Sequence, residues 1–312
     1  MKKIITWVGM LLVTLVALTA CQSNTTNTTS STATEKKTVT VTTSFLQDMV
    51  KQLAGDAVDT ELIIPAGEDP HLYVAKSSDL EKLKKADLVL YHGLHFEGKM
   101  VEVLEKLGQP VSKDFPKDKI GVMEEDEGTV TDPHFWFDIS LYKLATQEAS
   151  NQLQQLLPDK ADTIKTNTEN YLKQLDELDA WNKEQLAQIP ENSRYLVTPH
   201  DAFNYFSRAY NIPVHAPQGV STQSEVANKD MVATVDLIIE HKIKAIFAES
   251  TTNPERMKKL QEAVQARGSD VKVVTGDGQE LFSDSLAPAG QDGDTYIDMY
   301  KHNTKLMVDN LK

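Results

Sequence analysis

The chain has 312 residues, of which 40% are apolar and 25% carry a charge, and its formal net charge is −14. These values are ordinary for a globular protein of one large or two medium domains. A surface this acidic repels phosphate backbones and so argues against nucleic acid as a partner. The single cysteine excludes an intrachain disulfide and a metal site built from thiolates.

Residues 1–20 have the pattern of a secretory signal peptide. Lys2 and Lys3 precede an uncharged, mostly apolar stretch that ends in Leu-Thr-Ala-Cys at positions 18–21. A spanning helix needs ~20 strongly apolar residues, so an uncleaved signal anchor is the less favoured alternative. The sequence Leu-Thr-Ala-Cys at positions 18–21 resembles the bacterial lipobox. This resemblance implies that Cys21 begins the mature chain and carries acyl chains such as palmitate. Several acyl chains on one residue attach a protein firmly to a membrane.

Residues 21–38 are rich in Ser, Thr and Asn and predict a flexible tether. Strands and helices alternate after it, which indicates an α/β fold with a mainly parallel sheet in an N-terminal lobe at residues 39–157. Ser78 and Glu81 form a capping-box pattern at the start of one of these helices. The predicted strands cover residues 39–43, 58–64 and 87–91, and the predicted helices cover residues 46–53, 78–85 and 97–107.

A second lobe of the same kind is predicted at residues 191–312. Its strands are expected at residues 195–198, 214–216, 244–248 and 271–274, and its helices at residues 202–210, 231–241 and 295–311, with one more after Asn253-Pro254. Between the lobes, residues 159–188 contain neither glycine nor proline and carry apolar residues at helical spacing. We therefore predict one long rigid helix within residues 158–190. Two shorter helices that meet near residues 167–169 are the alternative.

Three of the eight histidines share a setting that the other five lack. His71, His134 and His200 each follow a proline, and two of them come just after a predicted strand. Ligands of open α/β sheets bind outside the carboxyl ends of strands. A proline restricts the backbone and helps to aim the imidazole that follows it. These three histidines are therefore candidate metal ligands, although one histidine taken alone is more often structural.

A fourth ligand is expected to be a carboxylate at a strand end of the second lobe. Asp284 is the best placed, because it follows a predicted strand and a glycine-rich turn. Glu249 competes with it, but a buried carboxylate at a strand end is costly unless it is paired, so Glu249 is expected to support a ligand. His92 and His95 form a His-x-x-His pair on a strand and turn with no acidic partner, and we interpret them as structural. The remaining histidines, at positions 215, 241 and 302, are interpreted as surface or packing residues.

Five segments, which occur in order along residues 39–312, resemble the TroA-like zinc and manganese lipoproteins that serve ABC importers as solute-binding proteins. The segments are Gly67-Glu68-Asp69-Pro70-His71, Asp132-Pro133-His134-Phe135-Trp136-Phe137-Asp138, Thr198-Pro199-His200-Asp201-Ala202-Phe203-Asn204-Tyr205-Phe206, Gln218-Gly219-Val220-Ser221-Thr222 and Leu281-Phe282-Ser283-Asp284-Ser285. The lipobox and the tether match as well. The resemblance therefore covers essentially the whole mature chain.

The resemblance implies two α/β lobes joined by one long helix, with the metal ion between the lobes. It implies ligands at His71 and His134 from the first lobe and at His200 and Asp284 from the second. Glu249 and Asp138 are the candidates for a supporting role beside these ligands. The resemblance also implies a permease and a cytoplasmic ATPase as partners. It further implies a monomer that is lipid-anchored to the cell membrane and faces outside the cytoplasm.

The residue types leave the metal open between manganese and zinc, with iron third. Three imidazoles and one carboxylate suit tetrahedral Zn²⁺, whereas a bidentate Asp284 gives the five donors that Mn²⁺ tolerates. Zinc-specific relatives often carry a histidine-rich loop before the second ligand, but residues 117–131 here are acidic and contain no histidine. This difference favours manganese.

Two other function classes fit part of the pattern. A secreted metallohydrolase would place a general base such as Glu249 or Asp201 beside an open metal position, but the chain has no His-Glu-x-x-His helix. A surface adhesin with an incidental metal ion is the other alternative. Neither class explains all of the matching segments, so we expect a binding protein and not an enzyme.

Overall fold

The N-terminal half of the chain contains a four-stranded parallel sheet. The structure, a computed structural model, describes residues 36–125, 128–223, 225–276 and 278–312. The sheet has the strand order β2-β1-β3-β4 and consists of β1 (Lys37–Val41), β2 (Val58–Leu62), β3 (Leu88–Tyr91) and β4 (Gln109–Pro110). The connecting helices are α1 (Ser44–Ala54), α2 (Ser77–Lys85) and α3 (Val101–Leu107). The first three strands and the three helices follow the predicted order, and the parallel pairing agrees with the prediction, whereas β4 was not predicted.

An antiparallel hairpin and a long helix pair follow this sheet. The hairpin consists of β5 (Val122–Glu125) and β6 (Gly128–Thr131), and α4 (Ile139–Leu156) comes after it. Helix α5 (Ala161–Leu186) runs for 26 residues after a 3-10 turn at Pro158–Lys160. The prediction of one uninterrupted helix is therefore confirmed. Its buried side chains recur every three or four residues and face α1, α4 and the last helix of the chain.

The C-terminal half repeats the strand-helix alternation with shorter strands. Parallel pairs form between β7 (Leu196–Val197) and β8 (Val214–His215), and between β9 (Ala245–Phe247) and β10 (Lys272–Val274). Single parallel bridges continue these pairs beyond the strand ends, from His200 to Gln218 and from Glu249 to Leu281. The helices are α6 (Asn204–Tyr210), α7 (Asn228–Glu240), α8 (Glu255–Ala266) and α9 (Tyr296–Leu311).

The two halves, called here the N-terminal lobe (β1–β6 and α1–α4) and the C-terminal lobe (β7–β10 and α6–α9), share one apolar core. A single buried cluster contains Phe45 and Trp136 of the first lobe, Tyr171 of α5, and Phe206 and Tyr300 of the second. Residues 36–312 accordingly form one compact unit. The lobe boundaries at residues 157 and 191 stay a prediction.

The predicted capping box of Ser78 and Glu81 was wrong, because α2 begins one residue earlier and the Asp79 carboxylate accepts a 2.8 Å hydrogen bond from the Lys76 backbone N–H.

The signal segment, Cys21 and most of the tether lie outside the described residues. In the part of the chain that the structure describes, no helix has the length and apolar character needed to cross a membrane.

Candidate metal centre

Four chain segments bring the predicted ligands together between the two lobes. His71 lies in the loop between β2 and α2, and His134 directly precedes the 3-10 turn that leads into α4. His200 follows β7, and Asp284 lies three residues after Leu281, which pairs with the extension of β9. The carboxyl ends of parallel strands meet at one edge of a sheet, where α/β proteins bind their ligands.

The four side chains form a compact, buried group. One ligand atom from each of His71, His134, His200 and Asp284 lies within 4.8 Å of all the others. Asp284 Oδ1 is 3.3 Å from His134 Nε2, and Asp284 Oδ2 is 3.2 Å from His200 Nε2 and 3.8 Å from His71 Nε2. All four side chains are at most 3% exposed. The carboxylate therefore presents both oxygens to the histidine rings.

The converging atoms have no other partner among the described residues. The Nε2 atoms of the three histidines and both carboxylate oxygens of Asp284 are buried and, apart from one another, have no hydrogen-bond partner among the described residues. Leaving one buried polar group unsatisfied costs about 1–3 kcal/mol, so five such atoms at one point are not a stabilising feature of a fold. Imidazole nitrogen and carboxylate oxygen are ligands of divalent transition metals, and this donor set fits such an ion.

The electrostatics of the group also suit a cation. Burial lowers the pKa of His71 to about 3, so this ring is neutral and its lone pair can bind a metal. Burial opposes the charged form of His200 too, but the carboxylates of Glu249 and Asp284 outweigh it and raise the pKa of His200 well above its usual value. His200 and His134 hold the pKa of Asp284 low despite its burial. Asp284 is thus an anion at the centre of the group.

Two further carboxylates orient the imidazoles. Glu249 Oε2 lies 2.5 Å from His200 Nδ1, and Asp132 Oδ1 lies 2.8 Å from His134 Nδ1. With Nδ1 engaged as a donor, each ring turns its Nε2 toward the centre, which is the usual arrangement behind metal-binding histidines. Glu249 was a candidate for such a role from its position at a strand end, and the role stays a prediction. Asp132 was not singled out from the sequence.

Asp138, the other carboxylate proposed for this role, contacts none of the four residues in the described structure. Its Oδ1 caps α4 by accepting a 2.9 Å hydrogen bond from the Ser140 backbone N–H, and its Oδ2 pairs with Arg208 at 3.1 Å. The sequence signal that could have identified Asp132 as a supporting residue is its distance along the chain from His134. Asp132 and Asp69 each precede a candidate histidine by two residues, and each accepts a hydrogen bond from that histidine's backbone N–H.

The other histidines lie outside this group. His92 is buried beside the centre, with its Nε2 2.7 Å from the Thr43 hydroxyl, whereas His95 is exposed. His215 contacts Thr234. His241 stacks on Tyr195, and His302 lies near the carbonyl of Glu280. None of them belongs to a group of metal-compatible side chains among the described residues.

We expect Asp132→Asn and Glu249→Gln each to weaken metal binding about 10–100-fold, because each ring loses the partner that fixes its tautomer and orientation. The dissociation constants can be measured by competition with a chelator of known affinity. Asp138→Asn is the matched control and is expected to change the affinity little. An effect of Asp138→Asn as large as that of Asp132→Asn would contradict the assignment of these supporting roles.

Comparison with known proteins places the chain in a family. The family model described as "Zinc-uptake complex component A periplasmic" matches residues 39–310. The manganese-binding lipoprotein MntA of Bacillus subtilis is 38% identical over 285 residues, which cover 90% of this chain and 91% of that protein. The zinc-binding protein TroA of Treponema pallidum is 40% identical over 278 residues, which cover 88% of each chain.

Solved structures agree with the sequence relatives. The structure of Treponema pallidum TroA matches with a TM-score of 0.84 over 88% of this chain and 99% of that one. Another TroA structure is 68% identical and matches with a TM-score of 0.88 over 89% of this chain and 100% of that chain. These proteins share the two lobes and the long linking helix described above. The chain belongs to the family of periplasmic zinc-uptake component A proteins, the TroA-like metal-binding components of ABC transporters.

Proposed function

We propose that this protein captures a divalent metal ion, with Mn²⁺ favoured, and delivers it to an ABC permease for uptake. The observation that supports this proposal best is the convergence of five buried donor atoms from His71, His134, His200 and Asp284 that bond to no other described residue. We assign these four residues as the ligands of the transported ion. The ion is the cargo of the protein and is released again.

The donor geometry supports manganese. Both oxygens of Asp284 face the histidines at 3.2–3.8 Å, which favours a five-donor set with a bidentate carboxylate. Structural zinc sites are almost always four-coordinate, whereas carboxylate oxygen suits manganese. The acidic, histidine-free segment at residues 117–131 and the similarity to MntA point the same way.

Zinc is the second candidate, with iron behind it. The Treponema pallidum relative is called zinc-binding, and the family model is named for zinc uptake. Zinc also binds more tightly than manganese to any given site of this kind, so a tighter zinc complex in the test tube does not identify the physiological cargo.

Growth of a strain that lacks the gene separates these candidates. If manganese is the cargo, the strain should grow poorly when metal is scarce, and added Mn²⁺ should restore growth at concentrations where Zn²⁺ does not. Restoration by Zn²⁺ alone would instead identify zinc. A strain that needs neither metal would contradict the proposed uptake function.

A lipid anchor on Cys21 is part of the proposal, and its partners are a membrane permease and the associated ATPase. The relatives named above include a lipoprotein, and Cys21 follows small residues after an apolar segment. Acylation of Cys21 would keep a monomer at the outer face of the membrane, beside the permease.

Cys21→Ala is expected to move nearly all of the protein out of the membrane fraction, because no acyl chain can then be attached. Immunoblots of membrane and soluble fractions measure this distribution. Cys21→Ser is a second variant of similar size that also lacks the thiol. Retention of both variants in the membrane fraction would show that another segment anchors the chain.

A further inference from the structure

The segment that carries His71 is held differently from the segment that carries His134. The carbonyls of Asp132, Trp136 and Phe137 accept hydrogen bonds of 2.6–2.9 Å from three tyrosine hydroxyls of the C-terminal lobe, namely those of Tyr205, Tyr296 and Tyr300. By contrast, Pro70 and His71 are the buried residues of the loop at residues 65–76, and the Gly67 backbone N–H of this loop donates a 2.8 Å hydrogen bond to Ser285 Oγ of the C-terminal lobe. The position of His71 therefore depends on a small number of specific contacts.

Two of these contacts come from adjacent residues of the C-terminal lobe. The Thr222 hydroxyl donates a 2.6 Å hydrogen bond to Asp69 Oδ2, and Asp69 Oδ1 accepts the backbone N–H of His71 at 2.9 Å. Gln223 Nε2 donates to the carbonyl of His71 at 2.8 Å. Both backbone polar groups of His71 are thus linked to Thr222 and Gln223, which lie more than 150 residues further along the chain.

Thr222 is itself held in place by further contacts within the C-terminal lobe. Thr222 is 5% exposed, and its carbonyl accepts a hydrogen bond from Gln218 Nε2 at 3.1 Å. Gln218 Oε1 in turn accepts a hydrogen bond from Arg256 at 2.5 Å. Gly98 approaches the same carbonyl so closely that a Cβ there would collide with the carbonyl oxygen of His71 and lie 3.0 Å from Gln223 Nε2. Gly98, Thr222 and Gln223 therefore form a clamp on the His71 loop.

The clamp lies beside an opening to solvent. A pocket of about 470 Å³ is lined by His71, Gly98 and Gln223, among other residues of both lobes. Of the four assigned ligands, His71 is the one that lines this pocket in the described structure. His71 is therefore the assigned ligand that adjoins this opening.

We propose that Thr222 and Gln223 are positioning residues that hold His71 in the metal centre from the opposite lobe, and that breaking their hydrogen bonds lets the ion leave through the pocket. This inference rests on the proposed metal-binding function. Its physical basis is that separating the lobes and displacing the His71 loop differ in their free-energy cost. Separating the lobes disrupts a shared apolar core, whereas displacing the His71 loop breaks a few partly buried hydrogen bonds.

The proposal predicts faster release of metal when either contact is removed. Thr222→Val keeps the shape of the side chain but loses its bond to a carboxylate, and we expect the dissociation rate of Mn²⁺ and of Zn²⁺ to rise about ten-fold or more. Gln223→Leu loses a neutral hydrogen bond and should raise the rate by roughly 2–10-fold. Stopped-flow mixing of the loaded full-length protein with excess chelator measures these rates.

Three controls make the result specific. Thr222→Ser keeps the hydroxyl and should restore a dissociation rate near that of the wild type. Thr166→Val makes the same change on the exposed surface of α5 and should have no effect. Thermal unfolding of the metal-free variants detects a general loss of structure, in which case Gln223→Leu provides the second test.

The outcomes separate this inference from the function on which it rests. If the wild type binds neither Mn²⁺ nor Zn²⁺, the proposed function itself is wrong. If the wild type binds metal but Thr222→Val and Gln223→Leu release it at the wild-type rate, the positioning role of these two residues is overturned and the proposed function stands.

Discussion

Replacing His71 with alanine is expected to lower the affinity for Mn²⁺ by more than about a hundred-fold, while the metal-free protein stays folded. The loss should exceed the 10–100-fold effect of removing an orienting carboxylate, because a ligand itself is deleted. Competition with a chelator gives the affinity, and circular dichroism with thermal unfolding reports the fold. Among the three histidines, His71 is the best choice because it is neutral in the metal-free protein.

His134 and His200 are less suitable for the same test. Each contacts a supporting carboxylate as well as Asp284, so its removal takes an ion-pair partner from two buried carboxylates and destabilises the protein directly. His241→Ala is a matched control, because this exposed imidazole stacks on Tyr195 and lies outside the group of four. Unchanged affinity in His71→Ala would remove His71 from the proposed ligand set.

A bound ion should raise the free energy of unfolding by about 4 kcal/mol when its free concentration is a thousand times the dissociation constant. The reason is that the four ligands come from positions 71 to 284 and meet only in the folded chain. Chemical denaturation with and without Mn²⁺, followed by tryptophan fluorescence, measures the difference. Addition of a chelator should abolish it.

His71→Ala tests the origin of this stabilisation. At the same ion concentration the variant should gain little stability, because its weakened site is far less occupied. If the wild type binds the ion but shows no gain in stability, the ion must bind the unfolded chain equally well. That result would argue against a centre assembled by folding.

The fold was largely predictable because its signals are local. β-branched runs predicted the strands, and the lack of glycine and proline between Pro158 and Pro190 predicted the 26-residue helix α5. The convergence of His71, His134, His200 and Asp284 was only partly predictable. Position after strands made these residues candidates, but the family resemblance was needed to distinguish them from other histidines and acids.

The supporting contacts were harder to predict because they depend on how the chain turns. Asp132 and Asp138 flank the same histidine and aromatic segment, and sequence reasoning chose Asp138. The 3-10 turn at Phe135–Phe137 directs Asp138 to the N-terminus of α4, whereas Asp132 stays beside the His134 ring. The contact of Thr222 with Asp69 joins residues 153 positions apart and has no local signal at all.

The apolar core that both lobes share has a consequence for how the protein unfolds. Phe45, Tyr171 and Tyr300 belong to one cluster, although they lie in the first lobe, the linking helix and the second lobe. Loss of this cluster therefore exposes apolar surface of both lobes at once. Calorimetry of residues 36–312 should accordingly record a single cooperative transition in place of two, with equal calorimetric and van't Hoff enthalpies.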